Sequence, residues 1–343
     1  STINKSTDYF NTKLYTGNAS TQNITGVGFQ PDWTWIKDRN YDNGHNIYDA
    51  VRGTTKRIQS QSTNAEATRS NGLTAFISDG FSIGNDSQIN DTSSYNYVSW
   101  NWKANGQGSS NTDGSINTTY TSANTTSGFS ISKYTGTGSA ATIGHGLGVA
   151  PKMVIVKRLN NADGWQVYAD GYGVNNYLRL DTTASESSDS SRFGAAPTAS
   201  VFSVGTANGT NASGDTYIAY CFAEKTGYSK FGSYTGNGNT DGIFVYTGFK
   251  PAWILRKCTT SGTGESWVLI DNKRPGYNVT QLGLFPNGSN QEDTAAHNAV
   301  DMLSNGFKMR STDTRTNASN KNYFYMAFGQ TLVGSNNIPA TAR

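Results

Sequence analysis

One pattern of apolar residues occurs three times in the chain, each time directly after a proline. The residues that follow Pro31, Pro151 and Pro251 are mostly apolar on both of their alternating faces. Proline donates no backbone hydrogen bond and suits the first position of a strand. A strand that is apolar on both faces is covered on both faces. The pattern therefore predicts a central β-strand in residues 28–37, 148–157 and 248–257, one in each of three repeated units.

A second pattern, alternation of apolar and smaller residues, marks the end of each unit. It covers residues 97–102, 217–222 and 323–328. Alternation with a period of two predicts a strand that turns one face toward a core. The residues that share this face are Val98, Trp100 and Trp102 in the first unit, Ile218, Tyr220 and Phe222 in the second, and Phe324, Met326 and Phe328 in the third.

These patterns predict an all-β fold of three tandem antiparallel β-sandwich (jelly-roll-like) domains related by internal repeat. Helical spacing occurs over residues 293–304 alone, where we expect one short helix. The predicted boundaries are 1–105, 128–226 and 227–330 for the repeats, 106–127 for an Asn/Ser/Thr/Gly-rich spacer, and 331–343 for a C-terminal tail.

The linkers suggest how the units are arranged. The spacer separates the first repeat from the second, whereas almost nothing separates the second from the third. We therefore expect the second and third repeats to pack closely and the first to be angled or displaced. We expect the tail to dock on a neighbour.

The composition argues against several classes of protein. Charged residues make up 15% of the chain, aromatic residues 12%, and the formal net charge is +3. The aromatic content argues against disorder, and without a basic stripe we expect no nucleic-acid partner. No apolar run is long enough to span a bilayer, so we expect no membrane insertion. The start S-T-I-N-K is typical of a cytosolic product that has lost its initiator Met.

Cysteine and histidine usage indicates neither a disulfide framework nor a metal site. Cys221 lies within an aromatic strand, where a buried free thiol is favoured over a disulfide with Cys258. His45, His145 and His297 occupy different positions in the three units, without metal-ligand spacing. We expect no metal and no cofactor.

Two charged positions recur in the units, and both are predicted to be structural. The lysines end the proline-led strands, and each aspartate ends a shorter strand that follows. We interpret the aspartates as partners of the lysines or as turn caps, and disfavour a pair of catalytic carboxylates. No catalytic residue is assigned, and the chain is predicted not to be an enzyme. The recurring residues are Lys37, Lys157 and Lys257, and Asp49, Asp170 and Asp271.

Aromatic residues in loops are the candidate ligand-binding residues. Rigid aromatic side chains on a β scaffold suit contact with carbohydrate or protein, because they give contact area at a small entropic cost. The alternative, which we favour, is that they cover the ends of the sandwiches or pack against neighbouring subunits. The six candidates are Tyr41, Tyr48, Tyr168, Tyr172, Tyr177 and Tyr277.

The motifs of the first unit together resemble a family of uncharacterised domains in virion proteins of tailed, mainly marine, bacteriophages. They are Y-T-G-N at 15–18, I-T-G-V-G-F-Q-P-D-W-T-W-I-K-D-R at 24–39, Y-D-A-V-R-G-T-T-K-R at 48–57, S-D-G-F-S-I-G at 78–84 and Y-V-S-W-N-W-K-A at 97–104. The chain end, L-V-G-S-N-N-I-P-A-T-A-R, is also similar. The other copies depart from the pattern, since Arg52-Gly53 becomes Gly171-Tyr172 and then Arg274-Pro275.

The resemblance implies a structural virion protein, either a tail fibre or a capsid decoration, assembled in the host cytoplasm. The implied partners are other virion proteins and further copies of the chain, with a trimer favoured, and a host-surface glycan is an additional expected contact. Two alternatives remain, a carbohydrate-binding module and a polysaccharide depolymerase.

Overall fold

The computed structural model of the protein describes residues 3–330 except 261 and 263. The predicted tail, 331–343, lies outside the described residues. Antiparallel sheets dominate the described part, so the predicted all-β fold is confirmed. In the same part of the chain, no helix has the length and apolar character needed to cross a membrane.

The first strand set contains a four-stranded antiparallel sheet of order β1-β9-β3-β4 and an outer sheet of order β2-β8-β7. A short pair, β5-β6, accompanies them. After a 3-10 turn at Ser6–Asp8, the strands are β1 (Phe10–Thr16), β2 (Gln22–Thr25), β3 (Trp33–Asp38), β4 (Asn46–Asp49), β5 (Lys56–Arg57), β6 (Ala67–Thr68), β7 (Leu73–Ile77), β8 (Gly80–Ile83) and β9 (Asn96–Trp102).

The second strand set has a larger inner sheet and an outer pair. Its elements are β10 (Tyr120–Asn124), β11 (Phe129–Thr135), β12 (Ala141–Gly144), β13 (Met153–Arg158), β14 (Gln166–Ala169), β15 (Asn176–Arg179), β16 (Ser187–Ser188), β17 (Val201–Val204), helix α1 (Asn208–Asn211) and β18 (Thr216–Phe222). The inner sheet has the order β10-β11-β18-β13-β14-β15-β16, and β12 pairs with β17.

Strand β10 lies inside the segment 106–127, which the sequence suggested to be a spacer. It pairs with β11, where Thr121 faces Ser132. Both side chains are buried, and their hydroxyls are hydrogen-bonded at 3.1 Å. The strand was not predicted because the residues at its buried positions, Thr121 and Ser122, carry hydroxyl rather than apolar side chains.

The third strand set repeats the two-sheet arrangement, with sheets of order β19-β25-β21-β22 and β20-β24-β23. The predicted helix over 293–304 is wrong, because this segment forms a 3-10 turn and then β23, whose Met302 pairs with Phe307 of β24. The elements are β19 (Ser229–Thr235), β20 (Phe244–Tyr246), β21 (Pro251–Cys258), β22 (Val268–Asp271), the 3-10 turn Ala296–Asn298, β23 (Val300–Leu303), β24 (Gly306–Met309) and β25 (Asn322–Gly329).

The three inner sheets share one strand order, β1-β9-β3-β4, β11-β18-β13-β14 and β19-β25-β21-β22. Their registers also agree. The closing strands place Trp102, Phe222 and Phe328 opposite residues of the proline-led strands, and these partners are Trp33, Met153 and Trp253. Positions in the three sets can therefore be equated residue by residue.

The proline-led strand of each inner sheet is buried on both faces, as the sequence predicts. In β3, Ile36 belongs to a cluster between the two sheets of the first set, whereas Trp33 and Trp35 belong to a second cluster. That second cluster is shared, because it also contains Ile155 of the second set and Leu255 of the third. The molecule therefore has one common core and a separate core within each strand set.

Equivalent aromatic residues meet at the centre of the common core. The ring centroids of Trp102, Phe222 and Phe328 form a triangle with sides of 6.4, 6.2 and 5.6 Å. Trp33 also packs on Tyr220, with centroids 4.8 Å apart. The expectation that the first unit is displaced is therefore wrong, since all three strand sets bury their inner faces against one another.

Candidate functional site

Three interfaces of one design join the strand sets in a closed ring. A glutamate of each set donates its backbone N–H to a carbonyl of the next set. The bonds run from Glu66 to Leu159 (2.7 Å), from Glu186 to Thr259 (3.3 Å) and from Glu292 to Arg39 (2.9 Å). Because the third bond returns to the first set, the ring is closed without a second chain.

At two of the interfaces, a ring side chain that directly precedes a short strand forms a second contact between the sets. Trp165 donates its Nε1–H to the carbonyl of Gln59 in the preceding set at 3.0 Å, and Trp267 donates to the carbonyl of Arg179 at 2.8 Å. His45 holds the equivalent position, and its Nδ1 accepts a hydrogen bond from Trp35 Nε1 at 2.8 Å. Burial lowers the pKa of His45 well below its usual value, so this ring is neutral.

The interface of the first and second sets contains a network of ion pairs and hydrogen bonds around a buried arginine. Three residues of the first set and one residue of the second set form it. Arg52 Nε donates to Asp49 Oδ2 at 2.5 Å, and its Nη1 donates to Glu66 at 3.1 Å. Tyr220 of the second set donates its hydroxyl to Asp49 at 2.7 Å. Burial would lower the pKa of Arg52, but the Asp49 carboxylate raises it above its ordinary value.

The interface of the third and first sets has the same construction. Arg274 donates to Asp271 at 2.7 Å and to Glu292 at 3.0 Å, and Trp100 of the first set donates its Nε1–H to Asp271 at 3.0 Å. Arg39 adds two bonds of 2.9 Å to Glu292. Burial would raise the pKa of Glu292, but the two arginines lower it below its ordinary value.

Among the described residues, the interface of the second and third sets lacks this ion pair, because the aspartate, the arginine and the donor from the next set are replaced, while the glutamate is retained as Glu186. The strand register places Ala169 where the other sets have Asp49 and Asp271. Tyr172 then takes the position of the arginine, and Met326 takes the position of the tyrosine or tryptophan donor. The predicted recurring residue Asp170 lies one position beyond Ala169, is half-exposed and pairs with Lys152 at 2.6 Å.

A polar groove of about 670 Å³ lies at this altered interface. The second set contributes Tyr172, Asn176 and Glu186, and the third contributes Ser233, Thr259 and Asn322. Asn176 donates its side-chain N–H to Glu186 Oε1. Burial raises the pKa of Glu186 above its usual value, and it raises the pKa of Tyr172 to about 12. The groove therefore offers one carboxylate among hydroxyl and amide groups.

The recurring lysines bind backbone carbonyls rather than the aspartates, so the suggested Lys–Asp pairing is corrected. Lys157 Nζ donates to the carbonyl of Thr63 in the first set at 3.0 Å, and Lys257 Nζ donates to that of Thr183 in the second set at 2.9 Å. Lys37 Nζ donates to the carbonyl of Asp38 at 2.6 Å. Burial lowers the pKa of each of the three lysines to about 8.

The recurring aspartates of the first and third sets also cap turns. Asp49 Oδ1 accepts the backbone N–H of Arg52 at 2.8 Å, and Asp271 Oδ1 accepts that of Arg274 at 3.0 Å. Both carboxylates are fully buried. Their role in the structure is to hold the arginine that crosses the interface.

The six candidate tyrosines are not brought together at one site. Tyr48 and Tyr168 are buried on β4 and β14, which corrects their placement in loops. Tyr177 lies on β15, beneath the guanidinium of Arg192 at 4.7 Å. The exposed pair, Tyr41 and Tyr277, lies elsewhere, with Tyr41 stacked on Tyr95. Of the six, Tyr172 lines the groove.

The remaining groove residues were not identified from the sequence. Glu186 lies in a polar stretch that carries no apolar pattern, and the hydroxyl residues around it are common throughout the chain. The available signal was the recurrence of a glutamate at equivalent places, Glu66 and Glu292, after each short strand.

The cysteines and potential metal ligands add no further site. Cys221 and Cys258 are both buried, and neither takes part in a disulfide among the described residues, which confirms the expected free thiol at Cys221. Among the described residues, no group of three or more His, Cys, Asp or Glu side chains is placed to hold a metal ion.

The fold and interfaces define an all-β protein whose three strand sets surround one shared core. Residues 5–331 match the family model described as "Domain of unknown function (DUF7483)". The chain therefore belongs to this family. A comparison with curated proteins finds no match.

Proposed function

We propose that the chain is a structural, non-enzymatic protein on the exterior of a tailed bacteriophage particle, where it assembles with other virion proteins. The resemblance of its motifs to a phage virion family supplies the setting. The observation that carries the structural role is the closed ring with a common core. Three equivalent sets in one chain provide the threefold arrangement that a homotrimer would otherwise form.

The state of the recurring carboxylates supports a structural role over polysaccharide cleavage. Glycoside hydrolysis requires two carboxyl groups that reach a substrate from opposite sides of its scissile bond. Asp49 and Asp271 are fully buried and bound to arginines. Both carboxylates therefore serve to hold the strand sets together.

Purified particles of the phage that encodes the chain test the proposal. We expect mass spectrometry to find the chain in gradient-purified virions, and antibodies against it to label intact particles in electron micrographs. A chain found in the lysate but absent from purified virions would contradict the proposal. A chain present but labelled only after disruption would contradict its exterior position.

A further inference from the structure

The three interfaces differ in what balances the charge of the recurring glutamate. Arg52 donates to Glu66 and Arg274 donates to Glu292, so two of the interfaces supply their own guanidinium. At the third, Tyr172 replaces the arginine. Among the described residues, Glu186 forms no ion pair, and its side-chain hydrogen-bond partner is the neutral amide of Asn176. Glu186 is thus a carboxylate without a cation, at a position where the fold twice places one.

The space next to Glu186 is open and suits a small molecule. Its volume of about 670 Å³ falls within the range of about 300–1,000 Å³ that is common for ligand sites. The neutral lining side chains, including Ser187, Ser188, Ser233 and Asn322, carry hydroxyl or amide groups. Such groups can donate to and accept from the hydroxyls of a sugar.

The charge of the groove determines whether it favours a cationic or an anionic ligand. Glu186 is the charged side chain in its described lining, which contains no lysine or arginine. An anionic ligand would meet a carboxylate without a compensating cation, whereas an ammonium group would form a charge-assisted hydrogen bond. The lining therefore favours a cation attached to a hydroxylated frame.

We propose that this groove binds a saccharide that carries a protonated amino group, with the ammonium at Glu186 and the sugar hydroxyls against the neutral side chains. The hydroxyl-rich lining distinguishes this ligand from the side chain of an arginine or lysine in a protein partner. The inference goes beyond the structural role and does not depend on the location of the chain in a virion.

Isothermal titration calorimetry on the full chain tests the ligand chemistry with three probes. A glucosamine tetramer carries the cation and the hydroxyls, an N-acetylglucosamine tetramer lacks the charge, and arginine amide lacks the sugar. We expect the glucosamine tetramer to bind at least about tenfold more tightly than either of the others, as expected for loss of one charged hydrogen bond or of the sugar contacts.

Two variants test the position of the ligand. Glu186→Gln removes the carboxylate and should weaken binding of the glucosamine tetramer at least about tenfold. The control is Asp8→Asn, which removes a half-exposed carboxylate of the first strand set. It makes the same change in net charge and should leave binding unchanged. Tyr172→Arg restores the residue of the other two interfaces and should block the groove from within. Circular dichroism and thermal unfolding establish that each variant is folded.

Several results would overturn the inference. These are equal affinity for the charged and acetylated tetramers, unchanged binding by both Glu186→Gln and Tyr172→Arg, and binding of arginine amide without binding of the saccharide. Absence of binding by all three probes would also overturn it. None of these results bears on the virion experiment, so failure of the two proposals can be told apart.

Discussion

Tyr220 of the second strand set donates its hydroxyl to Asp49 of the first at 2.7 Å, inside a fully buried interface. The same carboxylate holds Arg52 of its own set. One aspartate therefore orients an arginine locally and connects its strand set to the next one through a tyrosine that lies 171 residues away in the chain.

Replacing Asp49 by Asn should be strongly destabilising. The change leaves the buried guanidinium of Arg52 without its main counter-charge, which typically costs about 3–5 kcal/mol. Chemical denaturation followed by intrinsic fluorescence measures the free energy of unfolding. Asp170→Asn is the matched control, because Asp170 is half-exposed, and it should change stability by no more than about 0.5 kcal/mol. Equal effects of the two variants would contradict this account of the interface.

Tyr220→Phe should be milder, since it leaves the ion pair in place and removes one donor to Asp49. We expect a loss of about 1–3 kcal/mol. In a double-mutant cycle, Asp49→Asn and Tyr220→Phe should be coupled by at least about 0.5 kcal/mol. Additive effects would show that the interface bond contributes nothing of its own.

Phe222→Ala should weaken the common core. Phe222 contacts Trp102 of the first set and Phe328 of the third, and removal of a buried phenylalanine side chain costs about 3–5 kcal/mol. Hydrogen exchange should show reduced protection in β9 and β25 as well as in β18. A loss of protection confined to β18 would be inconsistent with a core shared by the three strand sets.

The burial of individual strand faces could be predicted from the sequence. In β9, Trp100 and Trp102 alternate with Ser99 and Asn101, and this period of two places the tryptophans on one side. The apolar character of Trp33, Trp35 and Ile36 likewise indicated a strand covered on both faces. These predictions succeed because burial requires apolar side chains at the spacing that the backbone dictates.

The partner of a buried face could not be predicted, because the same side chains suit an outer sheet and a neighbouring strand set. Trp102 faces Trp253 and Phe222, which no local pattern specifies. The predicted equivalence of Asp170 with Asp49 was wrong because Asp170 lies five positions after Trp165, whereas Asp49 and Asp271 lie four positions after His45 and Trp267. Counting from these ring residues would have identified Ala169 and, with it, the altered interface.

The three buried lysines should make stability depend on pH in the alkaline range. Burial lowers the pKa of Lys37, Lys157 and Lys257 from 10.5 to about 8. Between these values the unfolded chain binds more protons than the folded chain, so the free energy of unfolding should rise as the pH increases above 8. Burial raises the pKa of Cys221, which lowers the free energy of unfolding as the pH increases. This effect of one thiol is smaller than the opposite effect of the three lysines.

The rise should end near pH 10, where tyrosines of the unfolded chain ionise. Burial raises the pKa of Tyr134 and Tyr228 well above 10.0, so the folded chain retains these protons and loses stability at higher pH. Urea unfolding at a series of pH values measures the curve. Lys157→Met should make the rise shallower, and a wild-type curve that falls steadily from pH 8 would exclude this role of the lysines.

Differential scanning calorimetry of the full chain tests most directly whether the three strand sets form one structure around a common core. We expect a single unfolding transition in which the calorimetric and van't Hoff enthalpies agree, because no strand set can expose its inner face without opening the core of the others. Two or three separable transitions, each with its own enthalpy, would contradict the account.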